Sequence, residues 1–232
     1  MFPLGDENPS YSRPFVTYTL VLINVAVFLW EILGPLPLEY VFEVYGFIPA
    51  RLDAMIREKA IDPYVAFTLL SSMFLHADPL HILGNMIYLW VFGDNVEDAC
   101  GHTGFIIFYL LSGLGGGLLH YYSDPASVIP SLGASGAISG VLAGYVLLFP
   151  YARIRVAVVG YWGFWRVVRV QALWMIGLWF LMQVFFAFIA GTSGVAYWAH
   201  IGGFVAGLAL IKLFARGGGP RRRPYVTPYP VR

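Results

Sequence analysis

Residues 170–211 read VQALWMIGLWFLMQVFFAFIAGTSGVAYWAHIGGFVAGLALI and contain no Asp, Glu, Lys or Arg. A helix that crosses the hydrocarbon core of a bilayer, which is about 30 Å thick, needs about 20 mostly apolar residues. This stretch is long enough for two such helices, and the Gly-Thr-Ser-Gly sequence at residues 191–194 favours a turn between them. The sequence therefore predicts two consecutive membrane-spanning helices here.

The composition of the whole chain is also that of a membrane protein. Of its 232 residues, 59% are hydrophobic and 12% are charged, whereas soluble proteins contain about 25% charged residues. A water-soluble domain of this composition would expose large apolar areas, which soluble monomers avoid. Soluble enzymes, nucleic-acid-binding proteins and secreted scaffolds are therefore excluded. The single cysteine, Cys100, excludes an internal disulfide and a multi-thiolate zinc site.

Four further apolar segments precede the C-terminal pair, at residues 15–33, 80–92, 104–122 and 135–149. The chain is therefore predicted to be an all-α membrane protein, a compact bundle of six transmembrane helices. We expect three parts: a cytoplasmic N-terminal segment at residues 1–14, the six-helix membrane domain at residues 15–215, and a disordered basic cytoplasmic tail at residues 216–232.

The connection between the first two helices, residues 34–79, is unusually long. A loop of this length usually has its own structure or a function. Two interpretations stay open: a cap on the membrane surface without chemistry, or a partly embedded element that shapes a site.

The basic residues predict the orientation of the helices, because cytoplasmic segments collect Lys and Arg. With six spans, only Arg51, Arg57 and Lys59 of the 14 basic residues would lie on the outer side. Both termini are therefore expected in the cytoplasm. The short acidic leader, with Asp6 and Glu7, differs from an organelle presequence and favours a prokaryotic inner membrane.

A cluster of polar residues begins the second apolar segment, His76-Ala-Asp-Pro-Leu-His81-Ile-Leu-Gly-Asn85. Asp78 followed by Pro79 is typical of a helix start. His81 and Asn85 then lie one turn apart on the same face of the helix, and His76 precedes the helix at the membrane boundary. Because unsatisfied polar groups are costly in hydrocarbon, these side chains are candidate functional residues.

Two further polar side chains stand among small residues at the starts of predicted helices. Ser135 lies in Gly-Ala-Ser-Gly at residues 133–136, and His200 lies in Ala-His-Ile-Gly-Gly at residues 199–203. Backbone N–H groups at a helix N-terminus, where Ser135 stands, favour negative charge.

Small residues at helical spacing allow membrane helices to pack closely. Three glycines of the fourth predicted helix are expected to face Gly203 and Gly207 on the sixth, namely Gly136, Gly140 and Gly144. This packing would bring Ser135 and His200 together.

A serine hydroxyl is a weak nucleophile until a base accepts its proton, and a nearby histidine usually does so. An acidic residue usually orients that histidine, but all 13 acidic residues lie at or before Asp124. We therefore expect a dyad, with Ser135 as nucleophile and His200 as base. His81 and Asn85 could then donate hydrogen bonds to the oxyanion.

Together these features resemble the rhomboid intramembrane serine proteases. The resemblance covers residues 15–215 and implies a hydrolase that cleaves transmembrane segments near the membrane boundary. It implies Ser135 as nucleophile, His200 as general base, and an oxyanion hole of His81, Asn85 and the Ser135 backbone N–H. The motifs that carry it are, in order, His76-x4-His81-x3-Asn85, Gly93-Asp-Asn-Val-Glu97, Gly133-Ala-Ser-Gly136 and Ala199-His-Ile-Gly-Gly203-x3-Gly207.

The resemblance also implies how the rest of the molecule serves the site. Glu97 would hold the first loop or the third helix in place, and the fifth helix with residues 191–194 would form a mobile gate and cap. The substrates would be single-span membrane proteins in the lipid bilayer, with no nucleic acid, no cofactor and no metal involved. The supporting residues of the site would be His76, Gly133, Gly136, Gly203 and Gly207.

The chain departs from the family at Ser139, where some members place a tyrosine that packs on the histidine ring. Two alternatives follow: the His200 ring is held less tightly, or another aromatic side chain such as Trp198 or Tyr197 holds it.

Three other classes of protein were weighed. A metal-dependent membrane protease could use His76, His81 and His200, but the His-Glu-x-x-His helix of such enzymes does not occur in the sequence. A small transporter would show repeated halves or broken helices, and neither is evident. A non-catalytic rhomboid-like protein that binds and retains membrane proteins is the strongest rival, although it would be expected to lack the serine or the histidine.

Overall fold

The structure, a computed structural model, describes residues 2–159, 165–189 and 194–215. Within these residues a short 3-10 helix, Ser72–Phe74, follows the fourth α-helix. The elements are, in chain order, β1 (Phe2–Asp6), α1 (Phe15–Leu33), α2 (Leu38–Tyr45), α3 (Pro49–Arg57), α4 (Pro63–Ser71), α5 (Pro79–Cys100), α6 (His102–Ser123), α7 (Ser135–Leu148), β2 (Arg153–Val159), β3 (Trp165–Gln171), α8 (Ala172–Ile189) and α9 (Tyr197–Phe214).

Each of the six apolar segments identified in the sequence contains a helix, namely α1, α5, α6, α7, α8 and α9. Among the described residues, four of these, α1, α6, α8 and α9, are long and apolar enough to cross a membrane. Of the other two, α5 has 22 residues but ends in a segment that contains Asp94, Glu97 and Asp98, and α7 has only 14 residues. The chain is therefore a multi-pass helical membrane protein.

Helix α7 forms the centre of the bundle. Its residues from Gly136 to Tyr145 are all buried, and it packs against α5, α6, α8 and α9. A helix that its neighbours surround on every side does not contact lipid, so it need not be long enough to cross the whole bilayer. The first residue of α7, Ser135, is half-buried and directly precedes this fully enclosed run.

Glycines set the close packing of α7 against α9. A Cβ atom at Gly203 would lie 1.9 Å from the Gly136 carbonyl oxygen, and one at Gly207 would lie 2.5 Å from the Gly140 Cα. The two backbones are therefore in direct contact, which only glycine permits at these positions. This is the contact that the small-residue spacing of the sequence led us to expect.

Helix α6 makes the same kind of contact with α9, and this contact is not among those predicted from the sequence. A Cβ atom at Gly116 would lie 2.7 Å from the Ala199 carbonyl oxygen, and one at Gly202 would lie 2.6 Å from the Gly115 carbonyl oxygen. The start of α9, which carries His200, is therefore held between α6 and α7.

The prediction of an all-α chain is wrong in one respect, because three strands form an antiparallel sheet in the order β1-β2-β3. In β2, Ile154 and Val156 are buried while Arg153 and Arg155 are exposed. This period of two is typical of a half-buried strand. The arginines make this segment resemble a charged loop, which hides the alternation of buried and exposed residues. Part of the predicted N-terminal segment, residues 1–14, thereby joins the folded domain.

The long connection at residues 34–79 contains α2, α3, α4 and the 3-10 helix. Phe47 and Ser131 exchange backbone hydrogen bonds, and the Gly133 N–H donates to the Ser72 carbonyl oxygen over 2.8 Å. The connection is thus bonded to the segment immediately before Ser135. This contact favours the second interpretation of the connection, an element that shapes a site.

Glu97, at the end of α5, anchors the start of α1. Its fully buried carboxylate accepts hydrogen bonds from the Val16 N–H at 2.9 Å and from the Thr17 N–H and hydroxyl at 2.7 Å each. The His102 Nδ1 atom, at the start of α6, lies 2.6 Å from the same carboxylate. Glu97 therefore joins the first and third predicted spans, rather than the first loop.

Two expectations concern residues outside the described part of the chain. These are the tail at residues 216–232 and most of the turn at residues 191–194, of which only Gly194 is described.

Candidate active site

Ser135 and His200 lie in hydrogen-bond contact. Ser135 is the first residue of α7, and His200 lies in the first turn of α9. The distance between Ser135 Oγ and His200 Nε2 is 2.8 Å, although 65 residues separate them in the chain. The glycine contacts between α7 and α9 bring these two helix starts together. Their catalytic roles stay predictions that the geometry permits.

A third side chain, Gln183 of α8, completes this arrangement. Its Oε1 atom lies 2.8 Å from His200 Nδ1, and its Nε2 atom donates to the Trp179 carbonyl oxygen over 3.3 Å. Gln183 is not among the residues predicted from the sequence, because one amide in an apolar helix matches no motif. A signal was available: Gln171 and Gln183 are the only side-chain amides after Asp124.

His81 approaches Ser135 across Gly133. A Cβ atom at Gly133 would lie 2.7 Å from His81 Nε2 and 3.6 Å from Ser135 Oγ, so a glycine leaves room for both groups. Gly133 also has a φ of +119°, which favours glycine. The Ala77 N–H donates to His81 Nδ1 over 3.4 Å. An accepting Nδ1 leaves the proton on Nε2, so Nε2 can donate towards Ser135.

Asn85 lies one turn after His81 on α5 and is buried. Its amide nitrogen is buried and has no hydrogen-bond partner among the described residues. A buried donor without a partner is unusual, because it costs free energy. A donor in this state is available to a ligand, such as a developing oxyanion.

His76 lies behind His81 and is fully buried. The two rings are 5.1 Å apart and meet edge to face. The His76 backbone N–H donates to the buried Glu31 carboxylate of α1 over 3.2 Å. Burial lowers the pKa of the His76 imidazole to about 4, and His81 acts in the same direction, so His76 is neutral near pH 7.

Two aromatic rings flank His200. The Trp179 and Tyr197 ring centres lie 6.0 Å and 6.4 Å from that of His200. The alternative candidate, Trp198, instead contacts Phe188. Ser139, at the position where some family members have tyrosine, donates to the Ser135 carbonyl oxygen over 2.6 Å.

The three histidines considered for a metalloprotease do not form one cluster. Among the described residues, no group of three or more His, Cys, Asp or Glu side chains is placed to hold a metal ion. The rings of His76 and His81 are adjacent, whereas His200 bonds to Ser135 and Gln183.

Comparison with known proteins gives one consistent family. The family model of the Rhomboid domain matches residues 64–217. Rhomboid protein 1, mitochondrial, of Saccharomyces cerevisiae is 34% identical over 144 residues, which are 60% of this chain and 38% of that protein. RHOMBOID-like protein 2 of Arabidopsis thaliana is 31% identical over 160 residues, 69% of this chain and 46% of that protein.

A third relative aligns over more of the chain. Rhomboid-like protein 11, chloroplastic, of Arabidopsis thaliana is 26% identical over 221 residues, 91% of this chain and 69% of that protein. The alignments cover less than half the length of the yeast protein and of RHOMBOID-like protein 2. The matched residues include all of α5, α6, α7, α8 and α9. The chain belongs to the rhomboid family.

Proposed function

We propose that this protein is an intramembrane serine endopeptidase that cleaves transmembrane segments of single-span membrane proteins near the membrane boundary. The observation that carries the proposal is the 2.8 Å contact between Ser135 Oγ and His200 Nε2. A hydroxyl within hydrogen-bond distance of a basic nitrogen can lose its proton to that nitrogen as it attacks. Membership of the rhomboid family supports the same reaction.

The proposed reaction begins with attack on the substrate. Ser135 Oγ bonds to the carbonyl carbon of the scissile peptide, and its proton passes to His200 Nε2. The carbonyl oxygen becomes an oxyanion, which accepts hydrogen bonds from His81 Nε2, Asn85 Nδ2 and the Ser135 backbone N–H. The protonated His200 then donates to the leaving amine as the C–N bond breaks, and water hydrolyses the acyl enzyme by the same steps.

The deciding experiment compares the wild type with Ser135→Ala. Both proteins, purified in detergent and reconstituted in liposomes, are incubated with tagged single-span membrane proteins, and the products are separated by gel electrophoresis. We expect cleavage by the wild type and none by Ser135→Ala, with unchanged thermal unfolding, because the hydroxyl is the nucleophile. Cleavage by the alanine variant would exclude Ser135 from that role.

Two further outcomes separate the alternatives. We expect a fluorophosphonate to label the wild type but not Ser135→Ala or His200→Ala, and a metal chelator to leave cleavage unchanged. Loss of cleavage with chelator would favour a metalloprotease. A wild type that binds the substrates but neither cleaves them nor is labelled would favour the non-catalytic rhomboid-like protein.

We also propose six membrane spans with both termini in the cytoplasm of a prokaryotic cell, in its inner membrane. Pairing of β1 with β2 supports this arrangement, because the N-terminal strand and the connection after α7 lie on one side of the bundle. The helix starts that carry His81, Ser135 and His200 then all lie towards the opposite face. Protease protection of tags at each terminus in sealed inverted vesicles tests the orientation.

A further inference from the structure

Gln183 is a buried polar side chain on an otherwise apolar helix. It is 7% exposed, and the other buried residues of α8 are Ala172, Met175 and Ile176. A buried amide is costly unless its donor and acceptor are both satisfied. At Gln183 both ends have partners, His200 for the oxygen and the Trp179 carbonyl for the nitrogen.

The two partners fix which end of the amide faces His200. The Trp179 carbonyl oxygen can only accept, so it must bind the NH2 end of Gln183. The reversed amide would place two oxygen atoms against each other. The oxygen of Gln183 therefore faces His200 Nδ1, 2.8 Å away.

The orientation of this amide sets the tautomer of His200. An oxygen acceptor at Nδ1 requires that Nδ1 carry the proton, and a neutral imidazole then has its lone pair on Nε2. That lone pair faces the Ser135 hydroxyl over 2.8 Å. The other tautomer would leave two acceptors in contact at Nδ1 and would offer Ser135 no base.

We propose that Gln183 is the positioning residue of the dyad, holding His200 as the Nδ1-protonated tautomer and aiming Nε2 at Ser135. This inference rests on the proposed hydrolase function. In serine hydrolases a carboxylate usually orients the histidine and fixes its tautomer, but here no acidic residue follows Asp124. A neutral amide orients the ring without burying a charge. During reaction the Ser135 proton passes to Nε2 and on to the leaving amine, while the Nδ1 proton stays on His200 and keeps its hydrogen bond to Gln183 Oε1.

The first test replaces the acceptor. In Gln183→Leu the side chain keeps a similar size but cannot accept from Nδ1. We expect kcat to fall about 10-fold or more, but by no more than the roughly 10²–10⁴-fold that general base catalysis supplies in total, with KM little changed. The rate of fluorophosphonate labelling should fall by the same factor, since labelling also needs an activated Ser135.

The second test keeps the acceptor but adds charge. Gln183→Glu can accept from Nδ1, and its negative charge favours the imidazolium form of His200. We expect substantial activity, with the acid limb of the kcat profile moved to higher pH. Activity in Gln183→Glu together with its loss in Gln183→Leu would assign the effect to the hydrogen-bond acceptor at Nδ1, which a purely structural role for Gln183 does not require. Met175→Leu, a volume-conserving change at another buried position of α8, should leave kcat and the pH profile as in the wild type.

The third test needs no substrate. Nitrogen NMR of imidazole-labelled protein distinguishes the two tautomers directly, and we expect a protonated Nδ1 at His200 in the wild type. In Gln183→Leu the two tautomers should be mixed. A wild-type His200 protonated on Nε2 would overturn the inference, even if the leucine variant does not fold.

The outcomes for Gln183 and for the proposed function are distinguishable. If Ser135→Ala is inactive while Gln183→Leu keeps the wild-type kcat, labelling rate and pH profile, then Gln183 is not a positioning residue and the hydrolase proposal stands. If Ser135→Ala still cleaves, the proposed function fails first.

Discussion

At Asn85 the buried amide nitrogen has no partner among the described residues. An unsatisfied buried donor lowers the stability of the fold by about 1–3 kcal/mol. Such a donor is typical of a site that binds a hydrogen-bond acceptor. One turn earlier on the same helix, the His81 Nε2 atom lies beside Gly133, next to Ser135. In the proposed reaction both side chains would donate to the oxyanion.

Replacement of Asn85 by alanine should therefore separate activity from stability. We expect kcat to fall about 10²–10³-fold, which is the usual effect of losing one oxyanion donor. The unfolding temperature should be unchanged or slightly higher. The control is Asn24→Ala: Asn24 is a buried amide of α1 that bonds to Leu20 of its own helix. Its kcat should equal that of the wild type. An Asn85→Ala enzyme with normal kcat would remove Asn85 from the oxyanion site.

Some site residues could be predicted from the sequence and one could not, because only the former stand in local motifs. Ser135, His200, His81 and Asn85 stand in short motifs with local spacing, which the sequence shows directly. Gln183 has its partner 17 residues away on another helix. Only the packing of α8 against α9 brings the two together, and no local period encodes that contact.

At the scale of the helices, backbone contact between α7 and α9 decides where His200 lies. The atoms that meet there are main-chain atoms of Gly136, Gly140, Gly203 and Gly207. Side chains on either helix would separate them. The distance between the Ser135 and His200 side chains is thus set by glycines, which have no functional group.

Gly203→Ala should destabilise the fold and reduce activity together. Its added methyl group would meet the Gly136 carbonyl, and overpacking of this kind costs about 1–3 kcal/mol or more. We expect a lower midpoint of denaturation in detergent and a lower kcat. Gly177→Ala on α8 is the matched control, because a Cβ atom there meets nothing within 4 Å. Equal midpoints for Gly203→Ala and the wild type would contradict the packing argument.

The helices were easier to predict than the strands for a physical reason. A membrane span is a long apolar run, and every one of the six runs contains a helix. The strands β2 and β3 are seven residues each and carry arginines, so composition alone assigns them to a polar loop. Their pairing with β1 also joins residues about 150 positions apart, as in the pair Phe2 and Ala157, and such long-range pairing has no local signature.

At the scale of the whole molecule, the sheet attaches the N-terminus to the buried helix α7. Asp6, the last residue of β1, accepts a hydrogen bond from the Tyr145 hydroxyl. Burial raises the pKa of the Asp6 carboxyl to about 6, and Asp94 adds to the rise, although the bond from Tyr145 opposes it. The folded protein therefore favours protonated Asp6.

This attachment should depend on pH. The pKa of Asp6 is higher in the folded protein than the ordinary value of 3.8. The stabilisation that protonated Asp6 contributes is therefore complete below pH 3.8 and is lost as the pH rises through about 6. We expect the unfolding temperature of the wild type, minus that of Asp6→Asn, to increase as the pH is lowered from about 7.5 to about 4.5. Other titrating groups are common to both proteins and cancel in this difference. A difference that is constant with pH, or that decreases, would show that Asp6 does not titrate in this way.

The bonds of Glu97 also bear on how the protein is made. The residues that Glu97 holds, Val16 and Thr17, precede it by 81 and 80 positions. Because α1 precedes α5 in the chain, it leaves the ribosome before Glu97 does. Two further buried polar side chains of α1, Asn24 and Glu31, would then wait for their folded surroundings. We therefore expect α1 to reach its final position only after α5 has been translated.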